Sequence, residues 1–211
     1  SNKRGHPIRR LHRATTDAAS RHSSPTPTTG YAELQCKSNF SFLRGASHPE
    51  ELVEQAAKLG YSAVAITDHN TLAGVVRMHC AAKACKLKLI VGAEITPVDD
   101  APILLYATDR ASYGRLARII TQGRLREVKG SCAITLDDIA QWSQGLIAAI
   151  VGNALCEDAR PALSNRQLAA GNWQSPHVYR DIFGDRLCLA ASVHRGPADA
   201  RHLAEMDVMA R

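Results

Sequence analysis

Short apolar runs and longer amphipathic stretches alternate along the chain from Tyr31 onward. Uninterrupted apolar runs are typical of strands buried on both faces, and apolar residues recurring every three or four positions are typical of helices. The runs predict strands at residues 31–36, 62–68, 88–93, 103–107 and 146–151, and a strand that ends the segment 185–192. Strands and helices in alternation predict an α/β fold with parallel pairing between the strands.

The amphipathic stretches predict helices between these strands. Ser47 is expected to cap the first helix, with Pro49 just inside it and Glu50 three residues after the cap, and Gly60 ends the apolar pattern. Further helices are predicted at residues 72–85, 112–122, 136–142, 160–170 and 197–211. The chain has only three Phe, two Trp and five Tyr, a composition that disfavours an all-β fold.

An amino-terminal tail differs in composition from the rest of the chain. Residues 1–30 contain six basic side chains, one acidic side chain and almost no large apolar residues, which predicts a disordered basic tail. Residues 31–211 contain 20 basic and 19 acidic side chains and form the predicted folded domain, so the charge of +6 identifies no partner for that domain. The alternatives for the tail are contact with nucleic acid or an acidic partner, a solubilising leader, or a non-native start.

The chain carries no signal for a membrane or for an oxidising compartment. Its apolar runs fall far short of the roughly 20 residues that cross a bilayer. Six cysteines are scattered without paired spacing, and no apolar signal segment precedes them. We therefore expect reduced thiols, no membrane partner and a cytoplasmic location.

Polar side chains end two neighbouring predicted strands. Asp68 and His69 come at the end of the run 62–68, and Glu94 follows the strand 88–93. Functional groups of parallel sheets lie at the carboxyl ends of strands, where imidazole and carboxylate bind a divalent metal or transfer a proton. The alternative is a polar loop in which Asp68 caps the next helix. A serine nucleophile is disfavoured because the chain has no Gly-x-Ser-x-Gly turn, and no cysteine has a nucleophile signature.

The chain resembles a known family over residues 31–205. The resemblance is carried by YAELQCKSNFSFLRGASHPEELVEQAAKLGYSAVAITDHNTLAGVVR and LKLIVGAEI, with FGDRL and HRGP further on. These segments are similar to the PHP (polymerase and histidinol phosphatase) domain at the amino terminus of error-prone C-family bacterial DNA polymerases, damage-inducible paralogues of the replicative alpha subunit. The resemblance implies a distorted seven-stranded, TIM-like β/α barrel. Active members hold up to three metals at its carboxyl face and hydrolyse phosphoesters.

The metal-ligand pattern of that family is only partly present. An active PHP domain has His-x-His after its first strand, and here Gln35 and Lys37 stand at those two positions. Arg44 stands where the family often has an acid. A lysine ammonium has no lone pair to give a metal, and an amide is a poor substitute for imidazole.

The remaining ligand positions predict a former metal site. His69 and Glu94 match the family's second and third motifs and are the two metal ligands left, with Asp68 beside His69. We expect no bound cofactor, and zinc or manganese are the metals to consider. The residues expected to line the former site are Gln35, Lys37, Asp68, His69 and Glu94, and Lys37 is expected to pair with Asp68 or Glu94 in place of a metal.

The family's last motif, Asp-x-His on a late strand, is also missing. Ser192-Val193-His194 is followed by Arg195-Gly196-Pro197, which matches an earlier segment of the family. The resemblance therefore implies a truncated domain that lacks the palm, thumb and fingers and does not polymerise by itself. Its implied partners are the remainder of a C-family polymerase, DNA through the full-length protein, a sliding clamp and mutagenesis accessory proteins.

A basic stretch over residues 110–129 has six basic side chains and one acid. Contact with template phosphates or with another polymerase domain and a plain solvated helix face are equal alternatives for it. The candidate contacts are Arg115, Arg118, Arg124 and Arg126. The aromatic pair Phe40 and Phe42 is expected to pack in the barrel rather than to stack on bases.

The sequence is compatible with three functions. The first is a structural, catalytically decayed PHP domain of an error-prone polymerase acting in translesion synthesis and damage-induced mutagenesis, and the loss of His-x-His favours it. The second is a metal-dependent phosphoesterase or 3′ to 5′ exonuclease, with His69 and Glu94 as ligands and Asp68 orienting His69. The third is an interaction module for polymerase partners or a sliding clamp.

Overall fold

The structure, a computed structural model, describes residues 30–151, 175–190 and 199–209. Within these ranges the strands are β1 (Ala32–Glu33), β2 (Ala63–His69), β3 (Lys88–Ile95), β4 (Ile103–Ala107), β5 (Leu146–Val151) and β6 (Leu187–Ala190). The helices are α1 (Pro49–Lys58), α2 (Val75–Cys85), α3 (Arg110–Leu125), α4 (Leu136–Trp142), α5 (Ser175–Phe183) and α6 (Asp199–Met209), with a 3-10 turn at Gly184–Arg186. The predicted basic tail, except Gly30, and the predicted helix at 160–170 lie outside the described residues.

The described strands form one sheet in the order β1-β2-β3-β4-β5-β6. β1, β2 and β3 are parallel, β5 and β6 are parallel, and β4 is antiparallel to both of its neighbours. The parallel pairing predicted from the alternation of strands and helices is confirmed for β1, β2 and β3, and it does not extend to β4. Only residues 96–102 join β3 to β4, and parallel neighbours need a longer crossover. The α/β class is confirmed, and the described residues contribute six strands where the family resemblance implied seven.

Helix α1 begins differently from the sequence prediction. Its N-cap is His48 rather than Ser47, and the His48 backbone N–H donates to Oε2 of Glu51 at 2.8 Å. Glu50, which was expected to complete the capping box, instead accepts a hydrogen bond from Arg77 on α2 at 2.6 Å. This ion pair ties the first turn of α1 to α2 at the surface.

The helices cover one face of the sheet in two apolar clusters. Alternate residues of β3, β4 and β5 pack against α3, α4 and α5. Val64 and Ile66 of β2 pack against Val53 of α1 and Met78 of α2. Alternate strand residues point to opposite faces, so the strands supply a different set of side chains to the other side of the sheet.

The second face of the sheet borders a cavity of about 1240 Å³. Its apolar part is formed by strand residues such as Leu104, Tyr106 and Val151. Lys37 and Arg44 also line the cavity and bring positive charge to it. The chain therefore places two cations beside the apolar face of its sheet.

The described helices include none that is long and apolar enough to cross a membrane. In the same ranges the free cysteines are Cys36, Cys80, Cys85, Cys132 and Cys188. Cys156 lies outside the described residues.

Gly123 and Gly114 lie on the same helix in opposite surroundings. A Cβ at Gly123 would come within 2.3 Å of Cγ1 of Ile134, whereas a Cβ at Gly114 would meet nothing within 4 Å. We expect Gly123→Ala to lower the free energy of unfolding by about 1–3 kcal/mol through overpacking. Gly114→Ala should raise it by up to about 1 kcal/mol because alanine favours helix. Urea unfolding measures both, and equal effects would contradict the packing of α3.

Candidate functional site

Strand register decides which of the predicted site residues meet. His69 pairs with Glu94 across β2 and β3, and Asp68 pairs with Ala93. Successive strand residues point to opposite faces, so His69 and Glu94 share one face while Asp68 lies on the other. Ala93 belongs to the apolar core under the helices, so Asp68 faces the helices. The three residues end neighbouring strands, but they do not converge on one point.

Glu94 is a buried carboxylate held by two cations. Lys37 Nζ lies 2.6 Å from Oε2, and Arg44 Nη1 lies 3.1 Å from Oε1. The Gln35 amide donates a further hydrogen bond to Oε2 at 3.4 Å. Only 7% of the Glu94 side chain is exposed, so these contacts replace its hydration. Of the two partners that the sequence left open for Lys37, the structure places Glu94 against it.

Asp68 is fully buried and serves as a hydrogen-bond acceptor for the loop after β1. Ser38 donates its backbone N–H to Oδ1 and its hydroxyl to Oδ2, each at 2.7 Å. Ser41 donates its hydroxyl to Oδ1 at 2.6 Å. The same Ser41 oxygen accepts the backbone N–H of His69 at 3.0 Å. Asp68 is thus linked to the backbone of His69 through Ser41.

His69 is held as a neutral imidazole on the Glu94 face. Its Nε2 forms a 3.1 Å hydrogen bond with Oγ1 of Thr96. Burial lowers the pKa of His69 to about 4, and the positive charges of Arg44 and Lys37 act in the same direction against the opposing charge of Glu94. At neutral pH the ring therefore adds no charge to the site.

A divalent metal does not fit this donor set. Both oxygens of Glu94 are engaged by cations, and Asp68 points to the other face of the sheet. In the described ranges no three His, Cys, Asp or Glu side chains are grouped so that they could hold a metal. Two unit charges 4 Å apart interact by about 4 kcal/mol at an effective dielectric constant of 20. Lys37 and Arg44 would each repel an ion that approached Glu94.

The two carboxylates fix one segment, residues 37–44, which we call the clamped loop. Its end residues Lys37 and Arg44 both contact Glu94, and two serines within it contact Asp68. Gly45 follows because a Cβ at this position would lie 2.2 Å from the carbonyl oxygen of Ser38. The loop is therefore anchored on both faces of the sheet.

The tip of the clamped loop is apolar and exposed. Phe42 is 82% exposed and Leu43 is 90% exposed, and Phe40 also reaches solvent. The expectation that Phe40 and Phe42 pack in the barrel is wrong for Phe42, whose side chain lies mostly in solvent, whereas the Phe40 side chain is 38% exposed. Leu43 has a φ of 61°, a left-handed conformation that a residue with a Cβ adopts at a cost.

Two of the four candidate arginines, Arg115 and Arg118 of α3, contact the last residue of α4 and the turn that follows it. Arg115 Nη1 donates to the carbonyl of Gln144 at 3.0 Å. The Arg118 guanidinium lies 5.6 Å from the ring centroid of Trp142, a cation–π contact. Both side chains thus have partners within the domain.

The other two arginines also have partners within the domain. Arg126 makes a bidentate ion pair with Asp138 on α4, and this hydrogen bonding lowers the pKa of the Asp138 carboxyl. Arg124 Nη2 donates to the carbonyl of Asn70 at 2.9 Å. Asn70 in turn donates its backbone N–H to the carbonyl of Glu94, so Arg124 supports the end of the site. A role of these arginines toward nucleic acid stays a prediction.

Two residues of the site, Ser38 and Ser41, and the ion pair of a third, Arg44, were not recognised from the sequence. Ser38 and Ser41 lie 30 and 27 positions before the carboxylate that they contact, and no local pattern connects them to it. The position of Arg44 was noted, but its ion pair with Glu94, 50 positions away, was not. Only the pairing of strands brings these residues together.

Comparison with known proteins matches residues 33–191 to the PHP domain family. Two curated relatives are error-prone DNA polymerases. The one from Rhodopirellula baltica is 46% identical over 174 residues, which are 81% of this chain and 15% of that polymerase. The one from Aromatoleum aromaticum is 45% identical over 175 residues, 82% of this chain and 16% of that polymerase. The chain thus spans about 15% of the length of such relatives.

A solved structure from Bifidobacterium adolescentis, named as a candidate metal-dependent phosphoesterase, has a similar fold. It superposes with a TM-score of 0.51 and 20% sequence identity, covering 79% of this chain and 88% of that one. At this identity the likeness concerns the fold.

Asp68→Ala should destabilise the domain strongly. It leaves the buried donors of Ser38 and Ser41 without an acceptor, and we expect the free energy of unfolding to fall by about 3–5 kcal/mol. Urea unfolding measures this loss. Asp181→Ala on the exposed surface of α5 is the control and should change stability by less than about 0.5 kcal/mol. If Asp68→Ala lowered the free energy of unfolding no more than the control does, the anchoring of the clamped loop by Asp68 would be contradicted.

Acid should weaken the fold through His69. Its pKa is about 4 in the folded chain and 6.5 in the reference state, so the unfolded chain binds more protons between these values. The stabilisation is complete above pH 6.5 and is lost as the pH falls toward 4, by about 2 kcal/mol after allowance for partial exposure. Unfolding followed from pH 7 to 4 should show a smaller slope in His69→Gln. Identical slopes would contradict the lowered pKa.

Proposed function

This chain belongs to the PHP domain family, and we propose that it is the amino-terminal PHP domain of an error-prone DNA polymerase, catalytically decayed and structural in role. The curated relatives support this placement, because their amino-terminal regions match the chain at 46% and 45% identity. The proposed polymerase acts in translesion synthesis and damage-induced mutagenesis. The remainder of that polymerase is the domain's first partner, and DNA, a sliding clamp and mutagenesis accessory proteins are reached through it.

One observation carries the proposal of decay: the ammonium group of Lys37 lies 2.6 Å from Glu94, the best-placed carboxylate of the site. A metal ligand must offer a free lone pair, and this carboxylate offers its lone pairs to cations. The charge that a metal would supply to Glu94 is supplied by the side chain instead. The domain keeps a neutralised site without needing a cofactor.

A metal-dependent phosphoesterase or 3′ to 5′ exonuclease is the second candidate. It is favoured by the pairing of His69 with Glu94 on one face, since a neutral imidazole next to a carboxylate is a ligand pair for zinc or manganese. It requires Lys37 to leave Glu94 when the metal binds.

An interaction module is the third candidate. It is favoured by the exposed tip of the clamped loop, where Phe42 and Leu43 present apolar surface on a loop that contacts Asp68 and Glu94. This function is compatible with a structural role in a polymerase.

Elemental analysis of the native chain tests the proposal. The purified protein is incubated with Zn²⁺ and with Mn²⁺, desalted and analysed for metal per chain. We expect far less than one equivalent, because Lys37 and Arg44 hold Glu94.

A stoichiometric, tightly held metal would contradict the proposal of decay. Cleavage of a 3′-labelled single-stranded DNA, lost in both His69→Ala and Glu94→Gln, would then put the phosphoesterase first. If these two variants retained as much metal as the native chain, the metal site would lie elsewhere on the chain.

A further inference from the structure

Arg44 gives Glu94 a second positive partner on the oxygen that Lys37 does not touch. We infer that Arg44 excludes divalent metal from this site independently of Lys37, so that histidines at positions 35 and 37 are not sufficient to create a metal site while Arg44 remains. The inference rests on the proposed decay of the site. Arg44 is the residue to which we assign the exclusion of divalent metal from Glu94.

The geometry separates the contributions of the two cations. Lys37 and Gln35 contact Oε2 of Glu94, whereas Arg44 contacts Oε1 at 3.1 Å. Replacing Lys37 and Gln35 therefore frees one oxygen and leaves the other paired. The Arg44 guanidinium would still lie within hydrogen-bonding distance of Glu94, the carboxylate that an incoming metal would need as a ligand.

The backbone turn that carries Arg44 is held by contacts that do not involve Lys37. Its backbone N–H donates to the carbonyl of Ser41 at 2.8 Å, and the next residue, Gly45, donates to the same oxygen at 2.9 Å. The Ser41 hydroxyl donates a hydrogen bond to Oδ1 of the buried Asp68. Substitutions at positions 35 and 37 remove none of these contacts, so the turn that carries Arg44 should keep its place.

The chemistry of the two side chains also differs. A lysine ammonium is a compact point charge on a flexible chain. An arginine guanidinium is a rigid planar cation with no acceptor atom. Arg44 therefore places a positive charge that offers no lone pair on the Oε1 side of Glu94.

A variant series in one background tests this role. The background is Gln35→His/Lys37→His, and to it are added, one at a time, Arg44→Lys, Arg44→Gln and Arg44→Asp. The control adds Arg77→Asp, because Arg77 matches Arg44 in exposure, at 46%, and in having a single carboxylate partner, Glu50. The affinity for Zn²⁺ alone is measured by competition with a chromophoric chelator, and thermal unfolding shows that each variant is folded.

We expect the background, its Arg44→Lys derivative and the Arg77→Asp control to bind Zn²⁺ equally weakly. Arg44→Gln should raise the affinity at least tenfold, equivalent to about 1.4 kcal/mol, and Arg44→Asp should raise it further by adding a carboxylate ligand. Arg44→Lys separates the effect of charge from that of shape, since it keeps the cation while losing the planar fork.

The inference is overturned if the background binds Zn²⁺ as tightly as its Arg44→Gln derivative, or if Arg77→Asp raises the affinity as much. If the Arg44→Asp protein does not fold, the neutral Arg44→Gln variant decides. Metal in the native chain would contradict the proposed decay, whereas the differences within the series decide the role of Arg44 alone.

Discussion

A carboxylate buried at the end of a central strand needs a positive charge beside it, and the candidate site is arranged around that need. An unpaired buried carboxylate costs several kcal/mol, so Glu94 requires a counter-charge. Here the first loop supplies that charge from Lys37 and Arg44. Because both cations come from the same short segment, neutralising Glu94 also fixes the path of the chain between β1 and α1.

The second carboxylate completes the support from the other face of the sheet. Asp68 holds the middle of the clamped loop through Ser38 and Ser41, while Glu94 holds its ends. The position of the loop is therefore determined by two buried charges on adjacent strands. Both carboxylates therefore act as acceptors that hold the first loop, Asp68 from one face of the sheet and Glu94 from the other.

Much of the architecture could be predicted from residue patterns. The limits of α4 and β5 agree with their apolar periodicity, because both elements are bounded by clear turn residues. The reversal of β4 was missed, because a strand's direction depends on the length of its connection and leaves no mark on its own sequence. At the site, the identity of Lys37 and Glu94 could be read from the sequence, but the choice of Glu94 over Asp68 depends on which face each strand residue occupies.

The clamped loop also constrains the order in which the chain can fold. Its anchors join residues separated by 30 positions at Ser38 and Asp68 and by 50 positions at Arg44 and Glu94. Contacts between residues so far apart form only at the entropic cost of closing a long loop of chain. The contacts of Ser38 and Ser41 with Asp68 require β2 in place, and the contacts of Lys37 and Arg44 with Glu94 require β3 as well. The complete set of anchors beneath the apolar tip is therefore available only where β2 and β3 lie side by side in the sheet.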